Sequence, residues 1–324
     1  MAWRARGKLA PRAPALPASS GADGAATDRA AAERGDARFA TTGIRLTGVT
    51  HRYVDVVAVE RVDLAVPSGR RLAVVGPSGC GKSTLLGLIS GLDEPDEGVV
   101  DVLGVTDPAG RLARCALMPQ RDLLLPWRSA LANAAVALEN QGMPRRAARS
   151  AVRPLFDRFG LAGSEDRRPR QLSGGMRQRV AFLRTFVAGK EVLLLDEPFG
   201  ALDAISRAEA QDWLRATLDA EPRTVLLVTH DVEEAVLLGH EVVVLTGRPG
   251  RVAARIAVDL PVAGSRRELL ATAEFVGLRD AVLAALEQRA AEPPSAEPPS
   301  AVLSSVEPSS SDQQPSALSE TGCP

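Results

Sequence analysis

Short apolar runs alternate with segments of helical periodicity through the middle of the chain. The runs Val192–Leu195, Thr224–Val228 and Val242–Leu245 are almost continuously apolar, which is typical of strands buried on both faces of a sheet. Helical spacing follows the first two runs, around Trp213 and over Val232–Leu238. Because strands that alternate with helices favour a parallel sheet covered on both sides, the sequence predicts an α/β fold.

Two strand-like segments precede this region, and helical segments interrupt it. Ile44–Thr50 and Val59–Val66 alternate apolar and polar positions, as half-buried strands do. Leu131–Glu139 and Arg145–Phe159 instead carry apolar residues three and four positions apart, which indicates helices. We therefore predict a mostly helical insertion at about residues 121–188.

The two ends of the chain have a different composition from the middle. Residues 1–41 are rich in Ala, Arg, Gly and Pro, and residues 291–324 are rich in Ser, Pro and Glu. The early arginines suggest a targeting peptide as an alternative, but no apolar segment accompanies them. We predict disordered extensions at both ends, a folded domain over residues 42–260, and a short helical segment over residues 261–290.

Composition narrows the classes of function. With 39 basic and 40 acidic residues, no nucleic-acid partner is expected. Cys80, Cys115 and Cys323 are too scattered for a disulfide framework or a metal cluster, which fits a reducing compartment. No apolar run reaches the length of about 18 residues needed to cross a bilayer, so we expect no transmembrane segment.

A glycine-rich stretch stands between the apolar run Leu72–Val75 and the helix-like Leu85–Ile89. A strand that breaks into such a loop and then opens a helix directs backbone N–H groups and a helix N-terminus at one point, which suits a polyphosphate. A glycine turn with a solvated lysine is the alternative, and the strand before and helix after the loop argue against it. The predicted nucleotide-binding residues of this loop are Gly76, Pro77, Ser78, Gly79, Cys80, Gly81, Lys82, Ser83 and Thr84.

Polar side chains follow the predicted strands at their carboxyl ends, where α/β sheets bind ligands. Lys82 would reach the β- and γ-phosphates. Ser83 would place its hydroxyl on Mg²⁺, which prefers oxygen ligands, and Asp196 would hold the ion either directly or through one of its waters. Glu197 would be free to orient or deprotonate the attacking water. The strand-end residues are Gln120, Asp196, Glu197 and His230.

Each of these residues also has an ordinary interpretation. An Asp-Glu pair after a strand often caps a helix, a lone histidine is more often a core or surface residue, and a glutamine before a loop usually has no special role. The combination favours a functional site, because the same fold brings all four strand ends to one phosphate.

Taken in order, these motifs resemble the ATP-binding cassette (ABC) family. The resemblance covers about residues 42–260, and the signature Leu172-Ser-Gly-Gly-Met-Arg-Gln178 is close to exclusive to that family. It implies a P-loop NTPase core with a mostly parallel sheet, an antiparallel β subdomain and a helical insertion that carries the signature. It also implies ATP and Mg²⁺ as cofactors and ATP hydrolysis as the activity.

The resemblance further implies a role for each matched residue. Tyr53 corresponds to the aromatic residue that stacks on adenine, and Gln120 to the residue that contacts magnesium and senses the membrane partner. Asp196 corresponds to the magnesium-binding aspartate, Glu197 to the catalytic glutamate, and His230 to the histidine at the γ-phosphate. All five positions carry the expected residue type.

In the same family, Ser173, Gly174 and Gly175 match the signature that closes on the ATP of another subunit. These residues are predicted to stand at a helix start, where a hydroxyl and free N–H groups bind an anion. One chain has one phosphate loop and one signature, so two chains packed head to tail would make two complete sites. We therefore expect a homodimer that forms on ATP binding.

Local sequence variants suggest a group within the family. Leu123-Leu-Leu-Pro-Trp127 and Met176-Arg-Gln-Arg179 resemble importer cassettes for nitrate, sulfonates and taurine. Val180–Phe186 is similar to cassettes for pyrimidine precursors of thiamine. The resemblance implies two membrane permease subunits, an extracytoplasmic substrate-binding protein, and a peripheral position on the cytoplasmic face of the cell membrane.

The alternative is a soluble ABC-type ATPase that acts on a nucleic-acid or protein complex. The two hypotheses differ in what occupies the surface beside Gln120 and the helical insertion. An importer cassette would receive a short permease helix there, and Leu124–Trp127 would supply apolar and aromatic contacts.

Overall fold

The computed structural model describes residues 42–261 and 265–290. The predictions for residues 1–41 and 291–324 lie outside the described residues, and the division of the chain into domains stays a prediction. The strands are β1 (Thr42–Tyr53), β2 (Val56–Pro67), β3 (Arg71–Val75), β4 (Glu97–Val102), β5 (Cys115–Met118), β6 (Val192–Asp196), β7 (Thr224–Val228), β8 (Glu241–Leu245) and β9 (Val252–Ala257).

Helices connect and cover these strands. The described helices are α1 (Lys82–Ser90), α2 (Pro108–Arg114), α3 (Ala130–Ala134), α4 (Val136–Asn140), α5 (Arg145–Val152), α6 (Leu155–Arg158), α7 (Gly174–Phe186), α8 (Ala204–Ala220), α9 (Val232–Leu238), α10 (Arg266–Leu270) and α11 (Ala273–Ala290). A single 3₁₀ turn at Pro169–Gln171 precedes α7. None of the described helices is long and apolar enough to cross a membrane.

A six-stranded sheet in the order β5-β6-β7-β3-β8-β9 forms the centre of the described fold. Its strands run parallel except for β9, which pairs antiparallel with β8. Successive side chains of a strand point to opposite faces: Leu72 and Val74 of β3 pack in one apolar core, and Ala73 and Val75 in the other. Both faces are therefore buried, and the predicted parallel α/β sheet is confirmed.

A smaller antiparallel sheet in the order β2-β1-β4 lies on one side of the main sheet. Its buried residues, among them Ile44 and Leu64, share a core with Leu85 of α1 and with Val74. The alternation seen in the sequence follows from this packing, because only one side of these strands is buried. The antiparallel subdomain is thus confirmed.

The helical insertion lies between β5 and β6, and its helices are shorter than the sequence pattern predicted. The segment Arg145–Phe159 is divided at Pro154 into α5 and α6, because proline has no backbone N–H to continue the helical hydrogen bonds. The segment Leu131–Glu139 is divided at Ala135, whose ψ of -8° departs from helical geometry. The predicted cap is confirmed: the Ser173 hydroxyl accepts a hydrogen bond from the Met176 N–H at 3.2 Å.

Aromatic side chains fix the insertion to the sheet domain. Trp213 of α8 lies with its ring centroid 5.0 Å from that of Phe159 and 5.3 Å from that of Phe182 on α7. Phe159 and Phe182 are buried, and tilted and edge-to-face ring pairs of this kind stabilise a core beyond simple burial. The helix that follows Ser173 is therefore held in a defined position relative to α8.

Candidate nucleotide-binding and hydrolysis site

The phosphate loop connects β3 to α1 in a backbone conformation that requires glycine. Gly79 and Gly81 have φ values of 77° and 93°, in the left-handed region that side chains disfavour. A Cβ at Gly81 would also lie 2.5 Å from Val59 Cγ1 and 2.7 Å from the Ala58 carbonyl oxygen. The loop therefore passes so close to β2 that no side chain fits.

Lys82 is held against the backbone of this loop. Its Nζ donates hydrogen bonds to the Gly76 carbonyl at 2.7 Å and the Pro77 carbonyl at 3.0 Å, and the residue is 8% exposed. Lys82 is the first residue of α1. Its ammonium group therefore lies against the phosphate loop, close to the free backbone N–H groups at the start of this helix. Positive charge and free donors at one point favour a bound phosphate.

A cavity of about 440 Å³ opens beside the loop, within the range typical of small-molecule sites. Tyr53 lines one part of it and packs edge-on against His51, with ring centroids 4.7 Å apart. The half-exposed Tyr53 ring is available to stack on a flat ligand group. The other lining residues are Val56, Ala58, Ser78, Gly79, Gly81, Lys82, Ser83, Thr84, Glu197 and Arg248.

Ser83 and Asp196 lie side by side at the end of β6. The Ser83 hydroxyl donates to Asp196 Oδ2 at 3.0 Å. Burial raises the pKa of the Asp196 carboxyl, the hydrogen bond from Ser83 opposes that shift, and the nearby charge of Glu197 adds to it. A hydroxyl and one carboxylate fit Mg²⁺, which takes few protein ligands and keeps water and phosphate oxygens around it.

Glu197 is held by residues from the two strand ends on either side of it. Gln120, after β5, donates from Nε2 to Glu197 Oε2 at 2.7 Å. His230, after β7, places Nδ1 3.4 Å from Glu197 Oε1. The backbone N–H of Glu197 donates to the Val228 carbonyl at 2.8 Å, and its φ of 43° is unusual for a residue with a side chain. Backbone strain of this kind is concentrated at functional sites.

The structure brings most, but not all, of the predicted residues together. Six residues of the phosphate loop line one cavity together with Tyr53 and Glu197, while Gly76, Pro77 and Cys80 of the loop are not among its lining residues. Gln120, Asp196 and His230 are joined to the cavity through side-chain contacts. Ser173, Gly174 and Gly175 are not among the residues that line it. They lie instead beside α8 and the turn before it: a Cβ at Gly174 would be 3.2 Å from Leu202, and one at Gly175 would be 3.8 Å from Ser206.

Sequence reasoning missed three residues that line the cavity. Val56 and Ala58 belong to β2, and Arg248 belongs to the loop between β8 and β9. None of the three stands in a recognisable motif. Their place is set by the approach of β2 and of the β8–β9 loop to the phosphate loop, which only the tertiary structure reveals.

Comparison with known proteins identifies the family. The family described as ABC transporter matches residues 59–200. The aliphatic sulfonates import ATP-binding protein SsuB 1 of Rhodococcus jostii is 43% identical over 246 residues, which are 76% of this chain and 94% of that protein. The formylaminopyrimidine import ATP-binding protein ThiZ of Halalkalibacterium halodurans is 43% identical over 191 residues, 59% of this chain and 74% of that protein.

The chain belongs to the ABC transporter family as an ATP-binding protein. Among solved structures, a dimeric post-hydrolysis state of the cassette MJ0796 bound to ADP and Pi has a TM-score of 0.59 and 27% identity, and the match covers 67% of this chain and 99% of that one. The resemblance drawn from the motifs is confirmed. This cassette binds ATP, and its activity is ATP hydrolysis coupled to transport.

The geometry of the phosphate loop predicts that Gly81→Ala disrupts nucleotide binding in this cassette. The new Cβ would clash with Val59 and Ala58 of β2, so the phosphate loop must move away from β2. We expect the dissociation constant for ATP, measured by isothermal titration calorimetry, to rise more than about tenfold, since one misplaced set of phosphate donors costs at least about 1.4 kcal/mol.

Gly104→Ala is the matched control. Gly104 also has a positive φ, 79°, but a Cβ there meets no atom within 4 Å. This variant should lose about 1–2 kcal/mol of unfolding free energy and bind ATP normally. Equal ATP affinities for the two variants would contradict the role given to the close approach at Gly81.

Proposed function

We propose that this cassette is the subunit that binds and hydrolyses ATP to drive a membrane importer for a small substrate. The observation that carries the proposal is the arrangement around Glu197. A carboxylate held by Gln120 and His230 lies beside the phosphate loop and next to Asp196, the residue bonded to Ser83. This combination suits attack of water on a phosphoryl group.

In the proposed mechanism, the phosphate loop and Lys82 bind the phosphate chain of ATP, and Tyr53 stacks on the adenine. Ser83, Asp196 and Gln120 would hold Mg²⁺, which when bound neutralises charge on the phosphates. The oxygens of these side chains provide the donor set that this hard cation prefers.

Glu197 acts on the attacking water. Hydrogen bonding to Gln120 through Oε2 and contact with His230 through Oε1 fix the orientation of the carboxylate, so that it can orient the water or accept its proton. His230 is more than half exposed and is free to turn towards the γ-phosphate of bound ATP. Positioning and charge stabilisation supply most of the rate in this class of reaction.

Ser173, Gly174 and Gly175 act on the ATP of a second copy. Their hydroxyl and N–H groups lie at the start of α7 and outside the cavity of their own chain. A homodimer in head-to-tail arrangement would place each signature over the phosphates held by the other chain. The related cassette MJ0796 is dimeric in a post-hydrolysis state bound to ADP and Pi, which supports dimer formation by this chain.

The permease would bind at the loop that follows Gln120. Trp127 is 69% exposed, while the buried Asn133 orders the same loop by accepting from the Leu125 N–H at 2.7 Å and donating to the Leu125, Arg128 and Ser129 carbonyls. An exposed tryptophan on an ordered loop is a typical interface anchor. Two permease subunits, one for each cassette, would then hold the dimer at the cytoplasmic face of the membrane.

This loop is also connected to the signature helix α7. Arg177 pairs with Asp122 at 3.2 Å, and Arg184 donates to the Asp122 and Leu123 carbonyls at 2.7 and 2.9 Å. A shift at Trp127 would therefore reach Gln120 on one side and α7 on the other. This is a physical route by which hydrolysis and transport could be coupled.

The named relatives indicate the class of substrate. One is an importer cassette for aliphatic sulfonates and another for formylaminopyrimidine. We propose a small polar substrate of the nitrate, sulfonate or taurine kind, or a thiamine pyrimidine precursor, which an extracytoplasmic binding protein delivers to the permease. The relatives are importer proteins, and they lend no support to a soluble ATPase that acts on nucleic acid.

Changing Glu197 to Gln should separate binding from hydrolysis. The amide keeps the size of the side chain but cannot accept the proton of water, so the rate of phosphate release should fall at least about a hundredfold. ATP affinity should stay close to that of the unchanged chain, and dimers should accumulate with ATP, as measured by light scattering. Glu287→Gln, at an exposed position on α11, is the control and should hydrolyse ATP normally. Unimpaired hydrolysis by Glu197→Gln would show that Glu197 does not act on the attacking water.

Changing Trp127 to Ala should weaken permease binding without affecting the nucleotide site. Loss of a tryptophan that becomes buried when two proteins bind costs about 2 kcal/mol or more, so recovery of the co-expressed permease on the tagged cassette should fall sharply. ATP hydrolysis by the isolated cassette should not change. Leu112→Ala, at an exposed apolar position on α2, should have no effect, and permease recovery equal to that of the unchanged chain would contradict the proposed contact.

A further inference from the structure

The loop between β8 and β9 lies against the phosphate loop. Its Gly250 N–H donates to the Ala58 carbonyl at 2.9 Å, and its Gly250 carbonyl accepts from the Glu60 N–H at 3.0 Å. A Cβ at Gly250 would lie only 2.0 Å from the Cys80 carbonyl oxygen. The β8–β9 loop is therefore in direct backbone contact with both β2 and the phosphate loop.

Hydrogen bonds within this loop fix its shape. The Thr246 hydroxyl lies 2.9 Å from the Pro249 carbonyl oxygen and accepts from the Arg251 N–H at 2.9 Å. The Arg251 side chain pairs with Glu60 of β2, with Nε 2.9 Å from Oε2. Because the backbone of the loop is already ordered, a ligand that meets Arg248 does not have to order the loop itself.

Arg248 is the side chain that this loop places in the cavity. It lines the same space as Tyr53, Gly79 and Lys82, and its Nε donates to the Gly79 carbonyl at 3.3 Å. Its Nη2 lies 3.0 Å from the point where a Cβ of Gly79 would be. Among the ion pairs of the described residues, Arg251 has a carboxylate partner and Arg248 has none.

We propose that Arg248 is a further nucleotide-binding residue, whose guanidinium donates hydrogen bonds to the phosphate chain of ATP as a second cation beside Lys82. This inference rests on the proposed ATP site. The groups already there include two carboxylates, Asp196 and Glu197, against one ammonium. ATP adds net negative charge even when Mg²⁺ is bound with it, so a second cationic side chain improves the charge balance.

The geometry favours arginine for this role. The guanidinium is planar and presents several N–H donors, which match the spacing of phosphate oxygens. With Nε directed at the Gly79 carbonyl, its terminal N–H groups are available to a ligand. A contact of this kind acts on the phosphates and not on the base, so its effect must depend on the number of phosphates.

The test compares Arg248→Ala and Arg248→Lys with the unchanged chain by calorimetric titration with Mg²⁺ and AMP-PNP, ADP or AMP. For Arg248→Ala we expect the dissociation constant for AMP-PNP to rise about 5- to 20-fold, as for loss of one charged hydrogen bond. The rise should be smaller for ADP and absent for AMP. Arg248→Lys should be intermediate, because it keeps the charge and loses the planar fork.

Two controls make the outcomes distinguishable. Arg267→Ala, at an exposed position on α10, should bind all three nucleotides normally, and Lys82→Ala should lose binding of both AMP-PNP and ADP. Unchanged affinity in Arg248→Ala together with loss in Lys82→Ala would overturn the inference and leave the ATP site standing. Normal binding by Lys82→Ala would overturn the ATP site itself.

Arg248 could instead only brace the phosphate loop through the Gly79 carbonyl. In that case Arg248→Ala would lower the melting temperature of the nucleotide-free protein and weaken the binding of all three nucleotides by the same factor. That result would overturn the proposal. The proposal would be supported if the melting temperature of Arg248→Ala were unchanged and its loss of affinity increased from AMP to ADP to AMP-PNP.

Discussion

The carboxylate of Glu197 is held by Gln120 on one side and contacted by His230 on the other, and the organisation of the site depends on these two contacts. They join the ends of β5, β6 and β7, three neighbouring strands of the parallel sheet. Because parallel strands end at one edge, residues far apart in the chain meet within hydrogen-bonding distance. The sheet thus positions the group proposed to act on water.

The same edge of the sheet connects the site to the two surfaces proposed to contact other proteins. Gln120 opens the loop that carries Trp127, and Arg177 and Arg184 fasten that loop to the helix that begins after Ser173. A change in the contact between Gln120 and Glu197 can therefore move both the proposed permease-binding loop and the start of α7. Side-chain hydrogen bonds, each worth only about 1 kcal/mol, are suited to such a connection, because they can break and re-form during turnover.

Much of this arrangement could be predicted from the sequence, for physical reasons. A strand buried on both faces must be apolar at nearly every position, so β6, β7 and β8 were visible as continuous runs. The phosphate loop was visible because its glycine-rich motif stands between an apolar strand and a helix, and the left-handed φ values of Gly79 and Gly81 favour glycine there. The cap at Ser173 followed from its side-chain chemistry.

Other features depend on contacts between distant segments and leave no local pattern. The division of the helical insertion at Ala135 was hidden, because alanine itself favours helix. Arg248 stands in a loop with no motif, and its place in the cavity is set by hydrogen bonds between Gly250 and β2. The hydrogen bond between Gln120 and Glu197 likewise depends on β5 and β6 being neighbours in the sheet, which no local sequence pattern shows.

In the proposed dimer, each chain holds half of each active site and the second copy completes it. The most direct measurement is a structure of the Glu197→Gln chain with ATP and Mg²⁺. We expect a dimer in which the Ser173 hydroxyl of one copy lies within about 3 Å of the γ-phosphate bound by Lys82 of the other. ATP enclosed by residues of a single chain, with Ser173 of the second copy far from the phosphates, would contradict it.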